Sequence, residues 1–341
     1  MHICTMAFIT GASGLLGAHL ALKIVQNGEE LHALKRNSTD LQYIRKTFLA
    51  YDGKGQELFD SIHWIEGDLL DFYLLDSIIS KEKEIYHTAA MVSFDPKDRR
   101  QIMQVNVEGT INIVESCKRY KARLIYCSSI AALGRGKENE ETAETDLRLT
   151  GEKSSVYSQS KFEAEQAVWR GIAEGLNAAI VNPSVILGPG NWNKSSGQLF
   201  RTIDKGLKFY TNGSNSYVDA VDVAQIMYLL MKSTIKGERF IVSAANLSYK
   251  DLFTQIALSI NAKPPKYLAN KVLSALSWRL LKLLSIISGK RPLITKETAT
   301  NANTFYRYSS EKVKQTLNYN FIPIEESIHK IGALYLHEKT N

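Results

Sequence analysis

Cysteine is scarce. The 341-residue chain holds three, Cys4, Cys117 and Cys127, and none has metal-ligand spacing, so no metal site is expected. Cys117 and Cys127 lie in apolar stretches and read as buried free thiols, which suits a reducing, cytoplasmic setting. No run of Lys and Arg is interleaved with aromatics, so the footprint of a nucleic-acid binder is missing. No basic-then-apolar leader precedes the first strand, and no signal peptide is expected. There is no internal repeat and no low-complexity segment. The most apolar stretch, residues 272–288, is interrupted by Arg279 and Lys282. It falls short of the roughly 20 apolar residues of a stable membrane span. It reads as a helix whose greasy face lines a pocket, in preference to a helix lying on a membrane surface.

What is present is ordinary in bulk and specific in arrangement. Apolar residues make up 44% and charged residues 23%, as in a soluble globular protein. The net charge of +7 is modest for this length and fits solubility or attraction for an anionic ligand. The length exceeds one ordinary core and predicts a large domain with a smaller lobe. Short apolar runs at Met6–Ile9, Leu31–Leu34, Ile62–Ile65, Glu84–His87, Leu124–Cys127 and Ala178–Val181 read as strands. Helical patterns separate them: Leu16 to Val25, a segment carrying Leu41, Ile44 and Phe48, Leu69 to Ile79, Val105 to Arg119, and Val156 to Glu174. That alternation predicts an α/β fold, a Rossmann doubly wound parallel sheet over residues 1–186. Residues 217–244 are expected to return to it, and the rest of 187–341 to form a C-terminal substrate-binding lobe.

The chemistry-bearing residues fall where strands end. Gly11, Gly14 and Gly17 stand where the first strand hands over to the first helix. Gly11 permits the turn, Gly14 lets backbone approach a pyrophosphate, and Gly17 lets the helix pack closely on the sheet. Ser13, Leu15 and Leu16 complete the turn, and the helix N-terminus offers free N–H groups to phosphate. Tyr157 and Lys161 share one helix face at i and i+4. A nearby ammonium favours the phenolate and should lower a phenol pKa from its usual value near 10, poising Tyr157 as a general acid/base. Ser129, just past the fifth strand, is placed to hold a substrate oxygen; Ser128 stands as the alternative. After the second strand come Lys35, Arg36, Asn37 and Ser38, with no carboxylate until Asp40. Two cations there suit a 2′-phosphate and predict NADP(H) over NAD(H).

Together with Asp68, His87-Thr88-Ala89-Ala90 and Asn106, these motifs resemble the extended short-chain dehydrogenase/reductase superfamily, of NAD-dependent epimerase/dehydratase type. Asn182-Pro183-Ser184-Val185, Tyr217-Val218-Asp219-Ala220-Val221-Asp222 and Tyr308-Ser309-Ser310 extend the resemblance along nearly the whole chain. The resemblance implies that Tyr157 is the acid/base and that Lys161 also bonds the nicotinamide ribose. It implies that Ser129 orients the substrate oxygen and that Asn106 helps hold the site. Asp68 would bond the adenine amino group and Leu69 pack on its ring. Ala89 and Ala90 would wall the cofactor, with Pro183 and Val185 flanking the nicotinamide. It also allows a homodimer.

Within the superfamily the chain is most similar to dihydroflavonol reductases and 3β-hydroxysteroid dehydrogenases, which implies reduction of a carbonyl on a hydrophobic or ring-bearing small molecule. A nucleotide-sugar epimerase or dehydratase is the alternative. Those members resemble one another in an arginine two residues before the later-strand aromatic, where this chain has Asn215. A non-catalytic NADP-sensing regulator is the third reading; such proteins typically lose the tyrosine or the lysine, and this chain keeps both.

Overall fold

The computed structural model describes residues 6–93, 95–134, 140–148, 154–269 and 302–340. Cys4 and the apolar 272–288 stretch lie outside the described residues. The first half alternates strand and helix. It runs β1 (Met6–Thr10), α1 (Leu15–Gln26), β2 (Glu30–Lys35), α2 (Gln42–Tyr51), α3 (Gly55–Asp60), β3 (His63–Glu66), α4 (Phe72–Ile79) and β4 (Glu84–His87). It continues through α5 (Arg99–Met103), α6 (Gly109–Tyr120), β5 (Arg123–Cys127), α7 (Val156–Ala173) and β6 (Ala178–Pro183). The second half holds β7 (Val185–Leu187), α8 (Gly197–Asp204), β8 (Phe209–Tyr210), β9 (Ser214–Asp219), α9 (Ala220–Lys232) and β10 (Glu238–Val242). Then come β11 (Ala245–Ser248), α10 (Tyr249–Ser259), β12 (Tyr267–Leu268), α11 (Glu311–Leu317) and α12 (Ile324–Thr340).

Among the described residues, seven strands form one parallel sheet in the order β10-β6-β5-β4-β1-β2-β3. The order reverses between β1 and β4, and such a reversal opens a crevice beyond the carboxyl ends of the strands. Strands buried on both faces read as continuous apolar runs rather than as alternation. On one face Leu20 and Ile24 of α1 pack with Val223, Met227 and Leu230 of α9. On the other, Leu75 and Ile79 of α4, Ile113 and Cys117 of α6, and Ala164 and Val168 of α7 form a second core. Cys117 and Cys127 are free and buried.

Three departures from the sequence pattern have physical causes. The helix expected from Val105 is interrupted by a π-helical segment, Gln104–Glu108, ahead of α6. A π turn closes a wider ring than the 3.6-residue repeat, so periodicity alone does not show it. α4 begins at Phe72 rather than Leu69, because the Asp71 carboxylate accepts from Leu74 N at 3.0 Å and caps it there. The strand expected at Tyr217 is β9, which pairs with β7 and β11 in a separate three-stranded sheet. Val218 of β9 nevertheless packs in the core of the large domain with α9, and β10 joins its sheet. The small sheet joins α8, α10 and α12 in a third core around Phe200, Ile256, Ile328 and Ile331.

α1 lies close to the sheet because Gly17 has no side chain. A Cβ there would overlap the backbone of Gly11 and Ala12, neither of which has a flexible end to move. Gly17→Ala is therefore expected to cost about 1–3 kcal/mol through overpacking. Urea unfolding measures this, and a wild-type midpoint would show that the turn relaxes freely.

Candidate active site

The glycine turn sits at the carboxyl end of β1. Gly11 takes φ +80°, a left-handed conformation, and a Cβ on it would come 2.5 Å from Ala89 N. The backbone after β4 thus lies directly against the turn. Gly14 N donates to Gly11 O at 2.9 Å, closing it. Gly14 is the N-cap of α1, no side chain caps that end, and Ser13 and Gly14 are exposed while Leu16 and Gly17 are buried. First-turn N–H groups have no intrahelical acceptor, so an exposed, uncapped end bordered by glycine fits a dinucleotide diphosphate.

The residues expected to meet the adenosine follow β2 and β3. Arg36 is exposed, and its guanidinium has no protein partner among the described residues. The Lys35 ammonium lies 4.0 Å from Glu66 Oε2. Asp40 is occupied, its carboxylate accepting from Gln42 N at 2.9 Å at the start of α2. Asp68 is exposed and accepts from Leu70 N at 2.9 Å. Leu69 is buried and takes an amide hydrogen bond on its carbonyl from Asn112 at 2.9 Å.

At the carboxyl end of β5 the two serines part. Ser128 is buried, and its hydroxyl donates to the Glu165 carboxylate at 2.5 Å. Ser129 turns the other way: its hydroxyl bonds the Tyr157 phenol and accepts from Ala131 N at 3.1 Å. Ser155 caps α7 by accepting from Ser158 N at 2.9 Å, which fixes where the helix begins and so where Tyr157 points. Lys161 is buried, its ammonium donating to Cys127 O at 2.8 Å and to the Tyr126 hydroxyl at 3.4 Å.

These contacts alter the expected electrostatics. Burial pushes the Tyr157 phenol up to about 12, and only the Ser129 hydrogen bond works against it. Lys161, drawn to the Cys127 carbonyl, does not hold the phenol below its ordinary value as the i, i+4 spacing suggested. Burial also lowers the Lys161 ammonium, although the neighbouring Cys127 and the Glu165 carboxylate oppose the shift. At neutral pH the phenol of this chain therefore carries its proton.

Asn106, in the π segment, joins the two halves of the site. Its carboxamide oxygen accepts from Met91 N at 2.7 Å, and its nitrogen donates to Met91 O at 3.0 Å and Ser160 Oγ at 2.9 Å. The loop carrying Ala89 and Ala90 is thereby held against the helix carrying Tyr157. Pro183 ends β6 opposite Val242, and Val185 opens β7 opposite Tyr217, where the two sheets diverge.

Sequence reasoning missed the group underneath. Glu165 is 1% exposed, and besides Ser128 it accepts from Asn182 Nδ2 at 2.7 Å, Trp169 Nε1 at 3.2 Å and Arg239 Nη1 at 3.1 Å. The signal was available: Glu165 continues the 157, 161 helical face, where an acid has to be buried. Arg239 had no local signal, because β10 reaches β6 only through the sheet. The sequence shows His87 solely as part of a motif. It is fully buried between the hydroxyls of Thr10 at 2.6 Å and Thr110 at 2.9 Å, and burial lowers it to about 3.

The profile of the NAD dependent epimerase/dehydratase family matches residues 7–243. The chain is 30% identical over 243 residues to sterol demethylase protein B of Methylococcus capsulatus, covering 69% of this chain and 68% of that one. It is 25% identical over 329 residues to a Synechocystis protein provisionally named dihydroflavonol 4-reductase, covering 94% and 92% of the two chains. The crystal structure of gox2253 superposes with a TM-score of 0.81 at 27% identity, covering 98% of each chain.

His87 gives the site a pH signature. Its value lies at about 3 when folded and 6.5 ordinarily, so below pH 6.5 the unfolded chain takes up a proton that the folded chain refuses. Stability then falls as pH falls, by on the order of 2 kcal/mol between pH 6.5 and 5, until the folded value is reached. His87→Gln is expected to flatten this acid arm. Urea midpoints at both pH values measure it, and parallel losses in the two proteins would refute it.

Proposed function

Because the chain belongs to the NAD-dependent epimerase/dehydratase family and is an NAD(P)-dependent enzyme of the extended short-chain dehydrogenase/reductase type, we propose that it is an NADP(H)-dependent reductase of a ketone or aldehyde. The observation carrying this reading is the Tyr157 phenol hydrogen-bonded to Ser129 just past the carboxyl end of β5, with Lys161 one turn along the same helix. A phenol that keeps its proton at neutral pH is poised to donate it, as carbonyl reduction requires.

The bound nicotinamide would supply a hydride to the carbonyl carbon. Tyr157 gives its proton to the carbonyl oxygen, which becomes the alcohol hydroxyl, and Ser129 holds that oxygen in line. Lys161, one turn along the same helix face and held on the Cys127 carbonyl, would bond the nicotinamide ribose. Asn106 keeps the loop after β4 against α7. The uncapped start of α1 with Ser13, Gly14 and Leu15 receives the diphosphate, Asp68 and Leu69 the adenine, and Ala89, Ala90, Pro183 and Val185 the nicotinamide side.

NADP(H) is favoured by the exposed Arg36 guanidinium, which has no partner among the described residues, and by Asp40, whose carboxylate already accepts from Gln42 N at 2.9 Å. Most of the lobe beyond residue 187 would shape the substrate pocket, and the apolar 272–288 sequence favours a hydrophobic or ring-bearing substrate. The name of the Synechocystis relative supports reduction. The epimerase alternative wants a diphosphate-gripping cation where Asn215 stands, and Asn215 is occupied, accepting from Ser216 N at 2.8 Å and bonding Tyr249.

Titration with NADPH and NADH, then a carbonyl panel and a nucleotide-sugar panel on the loaded enzyme, separates the two readings. Steady net oxidation of NADPH by carbonyls is expected; sugar conversion without net cofactor turnover would overturn the reductase. Tyr157→Phe should leave cofactor affinity nearly intact while cutting turnover by about 100-fold or more, and near-normal turnover would remove the proton-donor role. Arg36→Ala should weaken NADPH far more than NADH, whereas equal losses would remove the argument for NADP(H).

A further inference from the structure

At the opposite end of the sheet from the glycine turn, three side chains converge for which the reaction has no use. Glu30 and His32 open β2, and His63 opens β3, the last strand of the sheet. The parallel register sets His32 directly against His63, with ring centroids 5.3 Å apart. Glu30 Oε1 lies 3.6 Å from His63 Nε2 and 4.0 Å from His32 Nε2, and the three donor atoms all fall within 4.8 Å of one another. Two imidazoles and a carboxylate are the donor set of an open zinc site. Its bonds of about 2.0–2.2 Å need these atoms only slightly closer, with the remaining position left to water.

A second observation distinguishes this cluster from an ordinary charged edge. Glu82 is 1% exposed, and its Oε1 lies 2.6 Å from His32 Nδ1. Its Oε2 is buried with no hydrogen-bond partner among the described residues. A carboxylate on Nδ1 fixes the ring orientation and the tautomer that leaves Nε2 free as a ligand, the arrangement that supports metal-bound histidines. A buried carboxylate bonded only through the ring also gains from positive charge on the ring's far side.

We propose that Glu30, His32 and His63 bind one divalent metal ion of the zinc class, with Glu82 as the positioning residue behind His32. The ion would clamp the edge strand β3 to β2. The site lies at the amino-terminal ends of the strands and is independent of the proposed reduction.

The test uses untagged full-length protein stripped with a chelator and titrated with Zn²⁺ by calorimetry, and with Co²⁺ by visible absorption. One ion per chain is expected, with a tetrahedral Co²⁺ spectrum and a raised melting temperature. His63→Ala, at an exposed position that should fold normally, should abolish all three signals. Glu82→Gln should weaken binding by about 10–100-fold while leaving the ligands in place. His329→Ala, an exposed histidine on α12, should change nothing. No Zn²⁺ binding by the parent protein would overturn the proposal. So would binding, or a melting shift, that survives His63→Ala.

Discussion

The buried carboxylate of Glu165 is the constraint around which the active end of this molecule is arranged. A charge that is 1% exposed must be matched by donors on every side, and here the donors come from four different segments. Ser128 brings the end of β5, Asn182 the end of β6, Arg239 the start of β10, and Trp169 the next turn of α7. Satisfying one carboxylate therefore fixes the helix that carries Tyr157 and Lys161 against the strand ends on which a substrate would rest. It also sends the Ser128 hydroxyl inward. Asn182 reinforces this by donating to Ser129 O at 3.1 Å, which holds the backbone of the serine that faces Tyr157.

The other half of the site depends on close backbone approach rather than on charge. Gly11 and Gly17 let β1, α1 and the loop after β4 come within contact distances that a side chain forbids. His87, held between Thr10 and Thr110, ties β1, β4 and α6 together below that loop, and Asn106 ties the loop to α7. The glycine turn and the end of β5 thus belong to one sheet, and the Met91 backbone and Asn106 add a hydrogen-bonded link between the loop after β4 and α7. The C-terminal segment is fastened in a comparable way. Asp222, buried at the start of α9, accepts from Tyr319 at 2.7 Å and from Ile322 N at 3.2 Å. Burial raises this carboxyl to about 7.

Much of this was legible before any coordinates. Strand and helix existence followed from apolar runs and periodicity, because strands buried on both faces and helices buried on one leave unambiguous patterns. The glycine turn was legible because its spacing is dictated by local backbone geometry. The Tyr157–Lys161 pair was legible because i and i+4 share a helix face. Other features were not. The π segment around Asn106 breaks the very periodicity by which helices are found. The choice between Ser128 and Ser129 depends on where Glu165 lies, and the partnership with Arg239 depends on β10 entering the sheet beside β6. The phenol pKa went the other way from the expectation because spacing reports a neighbour's identity but not the desolvation around it or the carbonyl that claims the neighbour's charge.

By itself the sequence determined the α/β class, the order of the elements, the glycine turn and the family to which the chain belongs, since each is written in residues near one another along the chain. Only the tertiary structure decided which serine faces the phenol, what matches the buried carboxylate, which strand completes the large sheet, and that Glu30, His32 and His63 share one corner of it. Those outcomes rest on contacts between segments far apart in sequence, and strand register and burial create such contacts without leaving a local pattern to read.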